Sequence, residues 1–408
     1  MKKILQLLKN NFTLVIIIIA VIFGLTGGLI ASLITRVYLL DNYYNIPFFG
    51  EINFSNNNGQ KELIIRDAKK VVVEQNIKIN ETINTVENSL VGIFKKRTSQ
   101  LVENETKKNV KSELAATTVD LNNFYQLDEP QGQGLIITSD GWIVSDFQLP
   151  DLSSGVVKNN KINLTNYVII TKDRKVYEID KLAKDSLTPF SFLHITATNL
   201  SVRKFADKQE IKNGNLILAV NWSGNSFLSS IMGQYKKINS QVYSSDNFLT
   251  KLVLTANPPE EFKGASLFNL GGDIVALIDN QGEIRPITQL LGAINSLLQY
   301  KEVKRASLGI NYLDLSSLVK ISILPEDNDK GAIIYQDADN IAVVKGSPAE
   351  KAGLKAGDII ISVENFELNQ DNNLTEIIQA HIAGDKVTIN YLRGNAQKQV
   401  DVVLGQIK

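Results

Sequence analysis

The sequence predicts a mainly β chain tied to a membrane by one N-terminal helix, with a smaller strand-and-helix unit at its C-terminal end. Three observations lead there. An uncharged apolar run fills residues 12–35. Short apolar runs separated by Gly, Asp, Asn and Ser fill the middle of the chain. Beyond residue 304 strand-like and helix-like patterns alternate.

The apolar run, FTLVIIIIAVIFGLTGGLIASLIT, has no charge over about 24 residues, some 36 Å of helix, which is enough to cross a bilayer. Lys2, Lys3 and Lys9 precede it, while Arg36, Asp41 and Glu51 follow. That bias leaves residues 1–11 in the cytoplasm and everything after the span outside. A cleaved signal peptide is the alternative. The run is longer than a signal's apolar core and no small-x-small site follows it, which favours an uncleaved anchor.

Residues 36–80 read as a juxtamembrane linker and stalk. DNYYNIPFFGEINFSNNNGQ is polar and Asn-rich, and residues 61–75 allow a helix. Residues 84–96 turn to a β-type run, and the charged stretch 97–126 reads as an exposed loop or surface helix. Then come QGLIITSDGWIVSD, NYVIITKDRKVYEID, GNLILAVNW, TKLVLTAN and GGDIVALIDNQGE, whose spacing and S-D-G and N-Q-G turns suggest an antiparallel barrel or sandwich. PITQLLGAINSLLQY has helical spacing and connects to the last unit.

Composition removes several function classes. The chain has 408 residues, with 43 basic and 43 acidic, so no net field would draw in nucleic acid. It has no cysteine, which excludes disulfides, thiolate metal sites and a cysteine nucleophile. His194 and His381 are the only histidines. No Asp/Asn loop has cation-binding spacing, and neither metal nor cofactor is expected.

These fragments, in this order, resemble the HtrA/DegP family of serine proteases over residues 81–408. INTVENSLVGIF is similar to the family's opening strand. GQGLIITSDGWIVSD resembles the hairpin before the catalytic histidine, and VIITKDRKVYEIDKLAKDSLTPFSFLHI the strands leading to the catalytic aspartate. SLFNLGGDIVALI resembles the strand after the nucleophile. The resemblance implies a trypsin-like double β-barrel over residues 81–295, followed by an α/β PDZ domain over 304–408. It also implies a trimer, as is common in the family.

Such a protease needs a serine, a histidine to take its proton and an aspartate to orient the imidazole. By the resemblance these roles fall on Gln148, Pro189 and Lys263. An amide is no base at neutral pH, proline has no carboxylate, and lysine replaces the hydroxyl. The oxyanion hole would use backbone N–H groups around Glu261 and Lys263, and Glu261 puts a side chain where the family has glycine. His194 reads as an edge-strand residue. A dyad of Lys263 with Ser266 is a conceivable base and nucleophile, while an ion pair of Lys263 with Glu260 or Glu261 is the plainer expectation.

The last unit keeps its means of working. GSPAEKAGLKAGDIIISV places Gly353 and Gly357 at turns before a buried strand, and Leu374 and Ile378 share one helix face. ASLGINY resembles the loop that captures a peptide's terminal carboxylate, which assigns that role to Leu308, Gly309 and Ile310, with Ile377, Ile378 and His381 as the groove's other wall. The expected protein is a single-pass bacterial membrane protein, its later domains extracytoplasmic. It would be a pseudoprotease that binds peptide C-termini or unfolded segments as a scaffold or regulator, as a homotrimer or together with active relatives. The competing reading is an active serine endopeptidase using residues elsewhere.

Overall fold

The computed structural model describes residues 16, 19–28, 44–46, 50–52, 66–97, 124–148, 164–236, 242–248, 250–318 and 330–407. The chain divides into two compact units, Met1–Val71 and Val72–Lys408. In the first, residues 19–28 are helical and β1 (Tyr44–Ile46) pairs antiparallel with β2 (Gly50–Ile52). Among the described residues no helix is long and apolar enough to cross a membrane. The rest of the expected span, the tail at 1–11 and most of the 97–126 insertion lie outside the described residues.

Of the helix expected at 61–75, the described residues 66–75 are helical, and α1 runs on over Arg66–Val86. Its extension follows from packing, because Ile79, Ile83 and Val86 form a stripe against the main core. Thr82 Oγ1 also donates to the carbonyl of Leu270 at 2.8 Å. The β-type run therefore begins later than expected, at Leu90.

Two closed antiparallel barrels follow, six strands each. The first joins β3 (Leu90–Lys95), β4 (Gly132–Ile136), β5 (Trp142–Ser145), β6 (Tyr167–Thr171), β7 (Val176–Lys184) and β8 (Ser191–Ile195). The S-D-G turn before β5 requires glycine: Gly141 has φ +117°, and a Cβ there would lie 1.9 Å from the Ile195 carbonyl oxygen. The second barrel joins β9 (Leu216–Val220), β10 (Ser226–Lys236), β12 (Thr250–Leu254), β13 (Ser266–Asn269), β14 (Ile274–Ile278) and β15 (Ile284–Pro286). One core cluster contains side chains of both barrels, from Leu135 and Trp142 to Leu218, Phe268 and Val275. Closure removes the exposed edges that open sheets must protect.

Between β10 and β12 lies a two-residue strand, β11 (Tyr243–Ser244), that belongs to neither barrel. After β15, α2 (Leu291–Tyr300) leads into the last unit. This contains β16 (Ala306–Ser307), β17 (Asn311–Asp314), β18 (Ala332–Ile334), the short α3 (Pro348–Lys351), β19 (Ile359–Val363) and β20 (Phe366–Glu367). α4 (Leu374–Ala380), β21 (Lys386–Arg393), β22 (Ala396–Val403) and β23 (Gly405–Gln406) complete it. Its sheet runs β11-β17-β18-β19-β21-β22, so the edge strand is supplied by the second barrel's loop. Gly353 and Gly357 have φ +76° and +86°, and Leu374 and Ile378 are buried, as their sequence positions suggest.

Candidate functional site

A cleft of about 380 Å³ opens where the barrels meet, and Gln148, Glu261 and Lys263 line it. Gln148 Nε2 donates to the carbonyl of Pro189 at 2.9 Å, so the first two positions assigned from the resemblance are neighbours in space. Lys263 Nζ is ion-paired with Glu260, which is itself largely exposed. Ser266 lies on β13 with 1% exposure, paired in register with Val220 and Leu277. With its ammonium held by Glu260, Lys263 is not arranged as a base for that hydroxyl.

The backbone around Lys263 is closed on itself. Residues Glu260–Phe262 form a 3₁₀ turn in which Lys263 N–H donates to the Glu260 carbonyl at 3.1 Å. The residue 263 amide, which the resemblance assigns to an oxyanion hole, thus has a backbone partner. Gly264, at φ +76°, completes the turn, and a Cβ there would meet Asp146 Oδ1 at 2.7 Å. Gln133 braces the site from the first barrel: its Nε2 donates to the Lys263 carbonyl at 2.6 Å and its Oε1 accepts from Trp222 N–H at 2.7 Å.

Asp146 lies buried in the wall of this cleft. Burial pushes its carboxyl up to about 6, and the nearby Asp279 carboxylate adds to the shift. A carboxyl of this kind can exchange a proton near neutrality, but the only hydroxyl among the lining side chains is that of Ser223, and none of them is an imidazole. His194 lies elsewhere, on β8, with Nδ1 2.5 Å from Asp180 Oδ1 and its ring edge-on to Trp142. Thr196 Oγ1 also donates to that aspartate. Among the described residues no group of three metal-ligating side chains converges.

The second candidate site is the groove between β17 and α4. Gly309 has φ +80°, and the backbone N–H groups of Leu308 and Gly309 both point at one carboxylate oxygen, Asp246 Oδ1, at 3.0 and 3.2 Å. Ser307 Oγ donates to Asp246 Oδ2 at 2.5 Å. The Ile310 N–H donates to Ser245 Oγ at 3.1 Å, and its carbonyl accepts from Ser245 N–H at 2.9 Å. The side chains of Leu308 and Ile310 are fully buried in the unit's core.

The helix wall differs from the one expected. Thr375 Oγ1 donates to the Ser244 carbonyl at 2.7 Å, and Gln379 Nε2 to the Ser245 carbonyl at 3.1 Å. These two residues, four apart on α4, face the segment that fills the groove. Ile377 and Ile378 instead pack into the core. His381 caps the end of α4, with Nδ1 3.5 Å from Asp385 and Nε2 4.0 Å from Glu364. Sequence reading missed Thr375 and Gln379 because it followed apolar residues along the helix.

Comparison with known proteins fits this architecture. Residues 319–404 match the PDZ domain family, a range that contains α4 but begins after Leu308, Gly309, Ile310 and β17. A probable periplasmic DegP-like serine endoprotease of Marinomonas sp. is 26% identical over 349 residues, covering 78% of this chain and 70% of that protein. The periplasmic serine endoprotease DegP of Escherichia coli is 24% identical over 290 residues, covering 67% and 57%. The serine protease Do-like HtrB of Bacillus subtilis is 23% identical, and the chain spans 56% of its length. A solved structure of the HtrA-type protease AlgW with a decapeptide aligns over 81% of this chain and 98% of that one, at 14% identity and a TM-score of 0.46. The chain's relatives are thus HtrA/DegP-like serine proteases with a C-terminal PDZ domain.

Proposed function

We propose that this chain is a catalytically silent relative of the HtrA-type proteases that binds carboxylate-bearing peptide segments through its PDZ domain in the bacterial cell envelope. One observation carries the binding half: the Leu308 and Gly309 amides converge on a carboxylate, held there by Asp246. Consecutive backbone N–H groups of this kind capture a peptide's C-terminus while the peptide adds a strand to the sheet edge.

Silence is supported by what fills the cleft. Peptide hydrolysis by this route needs a hydroxyl, a base beside it and free N–H groups for the oxyanion. Gln148 is bonded to Pro189, Lys263 is paired with Glu260, and the Lys263 amide is engaged in its own turn. The envelope location rests on the charge bias around residues 12–35 and on relatives named as periplasmic. Peptide C-termini and unfolded segments are the partners this reading implies. Assembly as a homotrimer, or with active relatives, accompanies it.

The full chain in detergent micelles tests both halves. A fluorophosphonate probe is expected to leave it unlabelled, and casein to remain intact over a day. Labelling of one serine, lost when that serine becomes alanine, would overturn silence. A library of peptides with free C-termini is expected to give bound sequences that drop out when the same peptides are C-terminally amidated. Equal retention of the amidated copies would overturn the carboxylate reading.

A further inference from the structure

The groove is occupied by the chain's own backbone. We propose that residues 243–246, in the loop between β10 and β12, are an internal ligand that closes the PDZ groove. The peptide that displaces them has a free carboxylate on a small last residue and an aromatic side chain two positions earlier. This deepens the proposed peptide-binding function and rests on it.

The segment imitates a bound C-terminus bond by bond. β11 adds antiparallel to β17, with Tyr243 opposite Tyr312 and Ser244 opposite Asn311. Ser245 occupies the place of a last residue: its N–H reaches the Ile310 carbonyl at 2.9 Å and its side chain is fully buried. A true C-terminus would put its carboxylate next, against the Leu308 and Gly309 amides. Here the chain continues, and the side chain of Asp246 folds back to supply the carboxylate instead. Ser245 Oγ donates to Asp246 Oδ1 at 2.6 Å and Asp246 N–H to Ser244 Oγ at 3.2 Å, which fixes that bend.

The ligand class is read from the same mimic. A buried serine at the last position leaves room for a small side chain. Two positions earlier, Tyr243 stacks on Tyr312 with ring centroids 5.4 Å apart and planes 25° from parallel. A tethered ligand competes at an effective concentration in the millimolar range when its linker is short and flexible. An incoming peptide must therefore beat a local competitor, and weakening that competitor raises apparent affinity without touching the groove.

The test uses the full chain in detergent, wild type against Asp246→Lys, which puts an ammonium where the amides require an acceptor. Ser245→Trp, too large for the buried position, serves as a second eviction variant. Hydrogen exchange over residues 307–310 needs no external ligand, and is expected to be at least tenfold faster in both variants. The binding probe is fluorescein-labelled Gln-Val-Tyr-Ser-Ser, the chain's own residues 241–245, with a free C-terminus. It is expected to bind the variants at least tenfold more tightly than wild type, and its amidated copy to bind neither. Unchanged exchange in both variants overturns the closure. Faster exchange with equal peptide affinity for wild type and variants also overturns it, as a competitor, while leaving the peptide function standing. Faster exchange with no peptide bound by any form upholds the closure and overturns the proposed ligand.

Discussion

Arg305 clasps Asp185 through two parallel bonds, Nε to Oδ1 at 2.8 Å and Nη2 to Oδ2 at 2.6 Å, with neither side chain exposed. The pair joins the start of the last unit, just before β16, to the β7–β8 turn of the first barrel. Arg305 Nη2 also donates to the Gln289 carbonyl at 2.8 Å, and its guanidinium lies over the Phe248 ring. Thr188 Oγ1 and Leu187 N–H complete the shell of Asp185.

Removing one partner strands the other. Asp185→Ala is expected to destabilise the protein by about 3–5 kcal/mol, the typical cost of an uncompensated buried charge. Arg305→Lys is expected to recover little of that pair, because an ammonium cannot make the two-pronged contact. Urea unfolding midpoints of both variants against wild type check this.

On the proposed silence of the cleft, a hydroxyl placed at residue 263 does not by itself bring cleavage. Lys263→Ser is expected to remain unlabelled by fluorophosphonate, since Gln148 provides no base and the residue 263 amide donates to Glu260. Adding Gln148→His and Pro189→Asp is expected to leave turnover on casein far below that of an active DegP-like enzyme, until the 3₁₀ turn at Glu260–Phe262 opens. Time courses of casein cleavage measure the effect.

Asp146 makes stability depend on pH in a defined direction. Its carboxyl holds a proton more tightly folded than unfolded, with the folded value raised to about 6 from 3.8. Below the unfolded value both states are protonated and the group is neutral to stability. As pH rises from 3.8 to about 6 the folded protein loses up to roughly 3 kcal/mol, and that loss persists above. Asp146→Asn is therefore expected to stabilise at pH 8 and to change little at pH 3.5, which paired denaturant titrations would show.

The seam between α2 and α4 has no room to spare. A Cβ at Gly292 would lie 2.0 Å from the Gln379 carbonyl oxygen and 3.2 Å from that of His381. Gly292→Ala is expected to cost about 1–3 kcal/mol through overpacking, despite the better helix propensity of alanine. It should also speed hydrogen exchange along α4, because Gln379 shares that contact with the groove.

The barrels were readable because glycine turns such as S-D-G at 139–141 and N-Q-G at 280–282 punctuate apolar runs whose burial leaves few alternatives. The extent of α1 was less readable, since its second half is helical for a tertiary reason, the docking of Ile79, Ile83 and Val86 on the core. In the groove, the loop glycine and its neighbours stood out as a short motif. Thr375 and Gln379 did not, because two polar residues four apart occur on any solvated helix face. Residues 243–246 were the least visible. In the sequence they are polar residues in a hairpin loop, and their role depends on a partner about 65 residues later that local pattern cannot reveal.

Trp222 is held by both halves of the double barrel. It follows β9, yet its indole Nε1 donates to the Leu127 carbonyl at 2.8 Å, its ring lies edge-on to Phe94 of β3, and Lys172 Nζ reaches its carbonyl at 2.7 Å. Trp142, the other tryptophan, sits on β5 within the first barrel. The protein thus has a built-in optical gauge. Parting of the barrels would take the Trp222 indole from its first-barrel partners and Trp142 from the core that both barrels share, so the emission of both would redden as the seam opens.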